Sequence, residues 1–303
     1  MRIGIDFDNT IVSYDAVFHK VALERSLVPP ALLPSKLAVR EHLRSAGQED
    51  LWTELQGYVY GTRMADVEAY GGVLDFLRWA RAHGIQVCII SHKTRHPFIG
   101  PAYDLHAAAR SWIEAQCIRP GLVDPGQVFL ELTKAEKIGR IRSTACDYYI
   151  DDLPEILLAE EFPRETAGIL FDPDRHHGDS PAYTRLSSWQ AILKHFQLSG
   201  EIARLLDIPA ALRLEPRGGG NNRVYVLSTK QGRRYVVKEY FRDPSDPRDR
   251  LGAEQAFLRY AAALGIQCVP KVAASSNESG LGIYEYIDGR PVSEVSAAYV
   301  QQA

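Results

Sequence analysis

The sequence contains no apolar run of the roughly 20 residues that a helix needs to cross a bilayer. Its most apolar stretch, at 85–90, has only the length of a strand. It lacks a charged leader followed by a long apolar segment, and no charge predominates, since 35 Lys and Arg residues face 38 Asp and Glu residues. We therefore expect a cytoplasmic protein that binds small molecules rather than nucleic acid or membranes.

Cysteine is also scarce. The four cysteines lie far apart and form no CxxC pair, which argues against a zinc site and against a disulfide framework. The composition, 46% hydrophobic and 24% charged, is typical of a folded globular protein. A length of 303 residues suggests two domains, since about 100 to 200 residues per domain is usual.

Short apolar runs alternate with helical patterns over the first two-thirds of the chain, which predicts an α/β domain at 1–195 with a Rossmann-like parallel sheet. About 60 residues separate the first strand from the next helix, and their aromatic-rich helical pattern predicts a small inserted cap at about 13–68. Strands are predicted at 3–7, 85–90, 128–132, 148–150 and 169–171, and helices at 73–82, 107–115, 134–143 and 154–160.

The pattern changes after this domain. A linker helix is predicted at 196–211, and a second, α+β domain at 212–303. Within the second domain the segments VYVLST and RRYVVKEY predict a hairpin, and a helix follows from about residue 250.

Acidic residues follow two of the predicted strands. Asp6 and Asp8, in the sequence DFDNT, lie two residues apart and point to the same side at the carboxyl end of the first strand. Asp151 and Asp152 follow the strand at 148–150. Such carboxylates repel one another unless a cation lies between them, and their oxygen donors suit Mg²⁺. The sequence therefore predicts a Mg²⁺ site formed by Asp6, Asp8, Asp151 and Asp152.

Groups that could bind phosphate are expected at the same edge. Ser91 ends a predicted strand and offers a hydroxyl beside backbone N–H groups. Lys134 opens the next helix, and its ammonium can neutralise phosphate oxygens; Lys137, one turn further on, is the alternative, with Lys134 favoured. The residues after Ser91, including Lys93, are interpreted as loop structure, with substrate contact as the alternative.

These four motifs, in this order on successive strand ends, resemble those of the haloacid dehalogenase-like (HAD) superfamily of phosphohydrolases over 1–195. The resemblance implies a Mg²⁺-dependent phosphatase that acts on a small phosphorylated metabolite. It further implies that Asp6 attacks phosphorus, and that Asp8 protonates the leaving oxygen and later activates water. Mg²⁺ would be held by Asp6, Asp151 and the Asp8 backbone carbonyl.

A glycine-rich segment, PRGGGNN, opens the second domain. Gly218, Gly219 and Gly220 would let backbone N–H groups approach phosphates, Lys238 on a strand could pair with them, and Glu254 on the following helix could orient that lysine. These residues predict a nucleotide-binding lobe with ATP as the candidate ligand.

The segments GGGNNRVYVL, YVVKEY, AEQAFLRY and YEYIDGRPV make 212–303 resemble the N-terminal lobe of aminoglycoside phosphotransferase-like and choline kinase-like proteins. The sequence given supplies no HxD catalytic loop, so we expect a fragment of a bifunctional phosphatase and small-molecule kinase. The alternative is a nucleotide-binding regulatory module in which the aspartate site is idle.

Overall fold

The computed structural model describes residues 1–209, 212–217, 221–229, 231–243 and 245–289. The chain divides into two compact units, Met1–Leu198 and a second unit that begins at Ser199. Across the described ranges, every helix is too short or too polar to cross a bilayer.

The first unit contains both strands and helices, and its last helix, Trp189–Leu206, continues past Leu198. In chain order they are β1 Arg2–Ile5, β2 Val12–Ser13, α1 Asp15–Glu24, α2 Lys36–Ser45, α3 Glu49–Thr62, β3 Glu68–Ala69, α4 Val73–Ala82, β4 Gln86–His92, α5 Leu105–Ile113, β5 Val128–Glu131, α6 Lys134–Ser143, β6 Tyr148–Asp151, α7 Pro154–Leu157, β7 Ala167–Phe171, β8 Tyr183–Leu186 and α8 Trp189–Leu206.

The main sheet is parallel and has the order β5-β4-β1-β6-β7-β8. The first strand lies inside it, where Ile3 pairs with both Val87 and Tyr148. Ile3 and Ile5 are fully buried, as expected for a strand covered on both faces. This order places the chain segment that carries Asp6 between two strand ends, where ligands bind in parallel sheets.

Apolar periodicity accounts for the covering helices. In α4 the buried residues are Val73, Phe76, Leu77 and Ala80, which recur at the spacing of one helical face. The helix α6 begins in a complete capping box, in which Thr133 and Glu136 bond to each other's backbone N–H groups. These signals fix where each helix begins relative to the strand that precedes it.

The segment between β1 and α4 forms the cap. It consists of the helices α1, α2 and α3, which lie in the chain between the paired strands β2 and β3. Its aromatic residues form the core, since Tyr14, Phe18 and Trp52 are nearly fully buried. Gly57 of α3 lies close to the loop that follows β4, since a Cβ at this position would be 2.6 Å from the Pro97 Cβ.

The predicted fold class is confirmed, with a parallel Rossmann-like sheet, a helical cap after the first strand and an antiparallel second unit. The strand β8 was missed, because its residues are only half-buried and carry no apolar run. The helix predicted at 154–160 ends at Leu157, three residues early. Where a linker helix was predicted at 196–211, the structure has one continuous helix, Trp189–Leu206.

The second unit contains β9 Arg213–Arg217, β10 Arg223–Ser228, β11 Arg234–Glu239, α9 Arg250–Ala263, β12 Val272–Ser276 and β13 Leu281–Glu285. Its antiparallel sheet has the order β12-β13-β11-β10-β9, and β10 and β11 form the predicted hairpin. The side chains of Leu251 and Leu258 on α9 pack with Tyr240 and Tyr284.

Candidate active site

The functional groups predicted for the first unit meet at the carboxyl edge of its sheet. Ile5 pairs with Ile89 on one side and with Ile150 on the other, so Asp6 emerges beside the ends of β4 and β6. Its backbone N–H donates to the Ile150 carbonyl oxygen at 2.9 Å, which keeps Asp6 in line with the strand.

Asp6 is almost fully buried and is held by two donors. Ser91 Oγ donates to Asp6 Oδ1 at 2.8 Å, and Lys137 Nζ donates to the same oxygen at 2.7 Å. Lys137 Nζ also forms an ion pair with Asp151 Oδ2 at 2.7 Å. One buried ammonium therefore joins the ends of β1 and β6.

Three carboxylates lie together at this edge, since one oxygen each from Asp6, Asp151 and Asp152 falls within 4.8 Å of the others. Burial raises the pKa of Asp6 to about 7, and although Lys137 opposes this effect, Asp151 adds to it. Burial, followed by the charges of Asp6 and Asp151, also raises the pKa of Asp152 well above its usual value.

The donor set fits Mg²⁺. All three donors are carboxylate oxygens, which Mg²⁺ prefers, and a divalent cation would offset the repulsion among them. Neighbouring groups hold two of the side chains in place: the Leu153 N–H donates to Asp151 Oδ1 at 2.9 Å, and Thr10 Oγ1 donates to Asp152 Oδ1 at 3.3 Å.

The two candidate lysines on α6 occupy different environments. Lys137 is 1% exposed and contacts Asp6 and Asp151. Lys134, which the sequence analysis favoured, is exposed and pairs with Glu155 at 3.0 Å. The structure thus brings Lys137, and not Lys134, to the carboxylates.

The Asp8 carboxylate does not belong to the cluster formed by Asp6, Asp151 and Asp152. Asn9 follows it with a φ of 55°, a left-handed conformation that Asn tolerates better than most residues. Lys93 Nζ donates to Asp8 Oδ1 and Oδ2 at 2.9 and 2.7 Å, and Tyr14 OH donates to Oδ1 at 2.5 Å. Burial alone would raise the pKa of Asp8, but Lys93 and Tyr14 outweigh it and hold the pKa below its usual value.

Lys93 and Tyr14 were not assigned to the site from the sequence. Both backbone polar groups of Lys93 are held, since its N–H donates to the Glu131 carbonyl and His106 Nε2 lies 2.7 Å from its carbonyl oxygen. The sequence feature that could have identified Lys93 is its position two residues beyond Ser91, at a strand end where polar side chains can reach a bound ligand.

A cavity of about 230 Å³ adjoins the carboxylates. Asp152, one of the three clustered carboxylates, and Asn9 line it together with Lys36 and Arg40 of the cap helix α2. The remaining lining residues are Asp15, Leu37, Tyr70, Phe171, Asp172, Pro173, Asp174, His176 and His177.

The second unit has its own charged pair. Lys238 Nζ lies 2.5 Å from Glu254 Oε1, and Tyr240 OH donates to Glu254 Oε2 at 2.6 Å. The strand lysine and helix carboxylate singled out in the sequence are therefore in contact. Gly218, Gly219 and Gly220, the other predicted nucleotide-binding residues, lie outside the described residues.

Comparison with known proteins gives two kinds of match. Residues 213–303 match the model of the phosphotransferase enzyme family. This agrees with the resemblance of that segment to aminoglycoside phosphotransferases. No curated protein matches the chain.

Solved structures similar to this chain include a HAD-superfamily hydrolase from Ehrlichia chaffeensis, with 10% identity, a TM-score of 0.40 and coverage of 64% of this chain and 94% of that one. A second, described as a predicted phosphatase from Clostridium acetobutylicum, has 14% identity, a TM-score of 0.42 and coverage of 65% and 98%. A third, a hydrolase from Pseudomonas syringae, has 13% identity, a TM-score of 0.37 and coverage of 65% and 99%. All three TM-scores lie below 0.5, so these structures carry no argument about the chemistry of this chain.

Proposed function

We propose that the first unit is a Mg²⁺-dependent phosphatase that hydrolyses a small phosphomonoester. The observation that carries this proposal is the contact set of Asp6, a buried carboxylate that accepts hydrogen bonds from Ser91 and Lys137 beside two further carboxylates. A nucleophile next to a hydroxyl, an ammonium and a cation site is the combination that phosphoryl transfer requires.

Asp6 would attack phosphorus with its free carboxylate oxygen. A bond forms between that oxygen and phosphorus, and the bond from phosphorus to the leaving oxygen breaks. In the second step water attacks the aspartyl-phosphate and the new bond to Asp6 breaks, which releases inorganic phosphate. Lys137 and Ser91, which already contact Asp6, are placed to stabilise negative charge on the phosphoryl oxygens.

Asp8 would take part in the proton transfers of both steps. Its carboxylate accepts hydrogen bonds from Lys93 and Tyr14, each of which carries an exchangeable proton. The leaving oxygen takes up one proton in the first step, and the attacking water gives up one in the second.

Asp6, Asp151 and Asp152 are the residues that would hold Mg²⁺, which when bound neutralises part of the phosphate charge. Asp8 would contribute to the Mg²⁺ site only through its backbone carbonyl oxygen. Lys137 takes the role of phosphate-binding lysine, since Lys134 is paired with Glu155 on the surface.

The test is release of inorganic phosphate from a panel of phosphorylated metabolites, with Mg²⁺ present. We expect turnover of at least one compound by the wild type and none by Asp6→Asn, because an amide lacks both the charge and the nucleophilicity of a carboxylate. Asp75→Asn on α4, which removes an exposed carboxylate paired with Arg78, is the matched control. Equal activity in Asp6→Asn and wild type would exclude Asp6 as nucleophile.

For the second unit we propose binding of nucleotide phosphates beside Lys238. The supporting observation is the Lys238–Glu254 pair, in which Tyr240 also donates to the carboxylate and so fixes its orientation. Calorimetry with ATP and Mg²⁺ should show binding that is lost in Lys238→Met and kept in Lys271→Met, which changes an exposed lysine of the same unit. Absence of ATP binding by the wild type would reject this function.

A further inference from the structure

The cavity beside the carboxylates carries two cations on one face of a cap helix. Lys36 and Arg40 are four residues apart on α2, so they are neighbours along the helix surface, and both line the cavity. Like charges at this spacing repel each other. Such a pair is favourable where an anion lies between or in front of the two groups.

Arg40 is the less satisfied of the two cations. Its Nε is buried and has no hydrogen-bond partner among the described residues. Within the described ranges it also forms no ion pair, whereas Arg44 on the same helix is bound by both oxygens of Glu49 at 2.6 and 2.7 Å. A buried guanidinium nitrogen without an acceptor is costly, which favours an acceptor supplied from outside the protein.

Lys36, which also lines the cavity, lies among aromatic rings. Its Nζ is 5.7 Å from the centre of the Tyr14 ring and 5.6 Å from that of Tyr60. Burial alone would lower the pKa of Lys36, but Tyr60, Asp8 and Asp152 outweigh it and keep the pKa above its usual value. The ammonium is therefore charged and close to the catalytic carboxylates.

Two acidic residues of the cavity, Asp15 and Asp172, already accept hydrogen bonds. Asp15 Oδ1 accepts the Lys36 backbone N–H at 2.7 Å, and Asp172 accepts the N–H groups of His176 and His177 at 2.9 and 3.1 Å. Asp174 lies 3.8 Å from His176 Nε2. Asp15 and Asp172 are thus occupied locally, whereas Arg40 Nε is a donor that has no acceptor among the described residues.

We propose that the substrate carries a second anionic group, a phosphate or a carboxylate, which Arg40 and Lys36 bind while the reacting phosphate lies at Asp6. The cavity is far larger than a single water molecule requires, and Asp152 is among the residues that line it. The substrate class is therefore a phosphomonoester with an anion at its other end. This inference rests on the proposed function, because it places the first phosphate at Asp6.

The test uses equilibrium binding, so that it does not depend on turnover. Alkane bisphosphonates with one to six carbons between the phosphonates are compared by calorimetry with alkylphosphonates of the same lengths, in the presence of Mg²⁺. ω-Phosphonocarboxylates of matching length show whether a carboxylate can replace the second phosphonate. We expect at least one length to bind about ten-fold more tightly than its monoanionic match, since a charge-assisted contact is commonly worth that much.

Arg40→Gln should reduce this preference to about three-fold or less, because the amide keeps a donor but loses the charge. Arg40→Lys should keep an intermediate preference, which separates a loss of charge from a loss of fold. Arg44→Gln, one turn further along α2, is the matched control and should keep the full preference. No preference at any chain length, or the same preference in Arg40→Gln, would overturn the proposal.

Failure of the proposed function gives a different result. If no phosphomonoester releases phosphate but the bisphosphonate preference depends on Arg40, the second anion site stands and the phosphatase assignment is wrong. If phosphate is released from phosphomonoesters and the preference is absent, the phosphatase stands and the second anion site is wrong.

Discussion

Lys93 Nζ donates to both carboxylate oxygens of Asp8, at 2.9 and 2.7 Å, although the two residues come from different strand ends. Lys93 is only 5% exposed, so the pair is largely shielded from solvent. A buried ion pair of this kind fixes the position of the carboxylate more firmly than a surface pair would.

Replacing Lys93 by Met should lower kcat by roughly 10- to 100-fold while changing KM less, because Asp8 loses the donor that positions it for proton transfer. Removing one partner of a buried pair should also reduce the free energy of unfolding, by about 3 kcal/mol. Steady-state kinetics and urea denaturation measure the two effects. Arg95→Gln, on the same loop but exposed and 3.5 Å from Asp104, should change neither; an unchanged kcat in Lys93→Met would contradict the positioning role.

The two lysines of α6 provide a second comparison. Lys137→Ala should reduce kcat/KM by at least about 100-fold, since it removes the ammonium from Asp6 and Asp151 and leaves two buried carboxylates without it. Lys134→Ala should stay within about two-fold, because it breaks only an exposed pair with Glu155. Kinetics of both variants under the same conditions decide between them, and the reverse order would restore Lys134 as the phosphate-binding residue.

Chelation of Mg²⁺ should abolish phosphate release without unfolding the protein, since the sheet core does not depend on the cation. Added Mg²⁺ should raise the melting temperature of the wild type by mass action, and this rise should be lost in Asp151→Asn. Thermal denaturation with and without Mg²⁺ measures this independently of activity. Full activity in the presence of a chelator would exclude the metal.

His195 on α8 should make stability depend on pH. Burial lowers its pKa to about 4, so the folded protein cannot take up the proton that the unfolded chain binds near pH 6.5. As the pH falls from 6.5 to 4, this group should lower the free energy of unfolding by up to about 3 kcal/mol. Denaturation at several pH values should show that loss in the wild type but not in His195→Gln; parallel curves would contradict it.

Two glycines inside helices should respond to alanine in opposite directions. A Cβ at Gly57 would lie 2.6 Å from the Pro97 Cβ, so Gly57→Ala should destabilise the protein by about 1 to 3 kcal/mol. Gly139 is exposed on α6 with no atom near its Cβ position, so Gly139→Ala should stabilise it by about 0.5 to 1 kcal/mol. Urea denaturation of both variants measures this, and a stable Gly57→Ala variant would show that the loop can move away from α3.

The sequence was most informative where backbone geometry determines side-chain position. Asp6, Ser91 and Asp151 stand at strand ends, and the parallel sheet brings such ends together whatever the loops do. The fold class followed from the same alternation of strands and helices. The strand β8 carried no such signal, because its four residues are all half-buried.

Side-chain direction beyond the strand ends could not be predicted. Lys134 and Lys137 both fall near the start of α6, and only the rotation of that helix against β4 decides which one faces inward. Lys93 and Tyr14 meet at Asp8 because a loop and the cap converge there, and no sequence period describes that contact. The cavity residues Lys36 and Arg40 depend in the same way on how the cap packs.

The interior position of β1 has a consequence for the order in which the chain folds during synthesis. This strand leaves the ribosome before its partners, since Arg2 pairs with Gln86 and Ile3 pairs with Tyr148, both far along the chain. At roughly 5 to 20 residues per second, Tyr148 is made on the order of ten seconds after Ile3. Until β4 is made both edges of this apolar strand lack their native partners, and until β6 is made one edge still does, which is a condition that favours aggregation or chaperone binding. Asp6 is therefore made long before Asp151 and Asp152, and the carboxylate cluster can assemble only after β6 has been made.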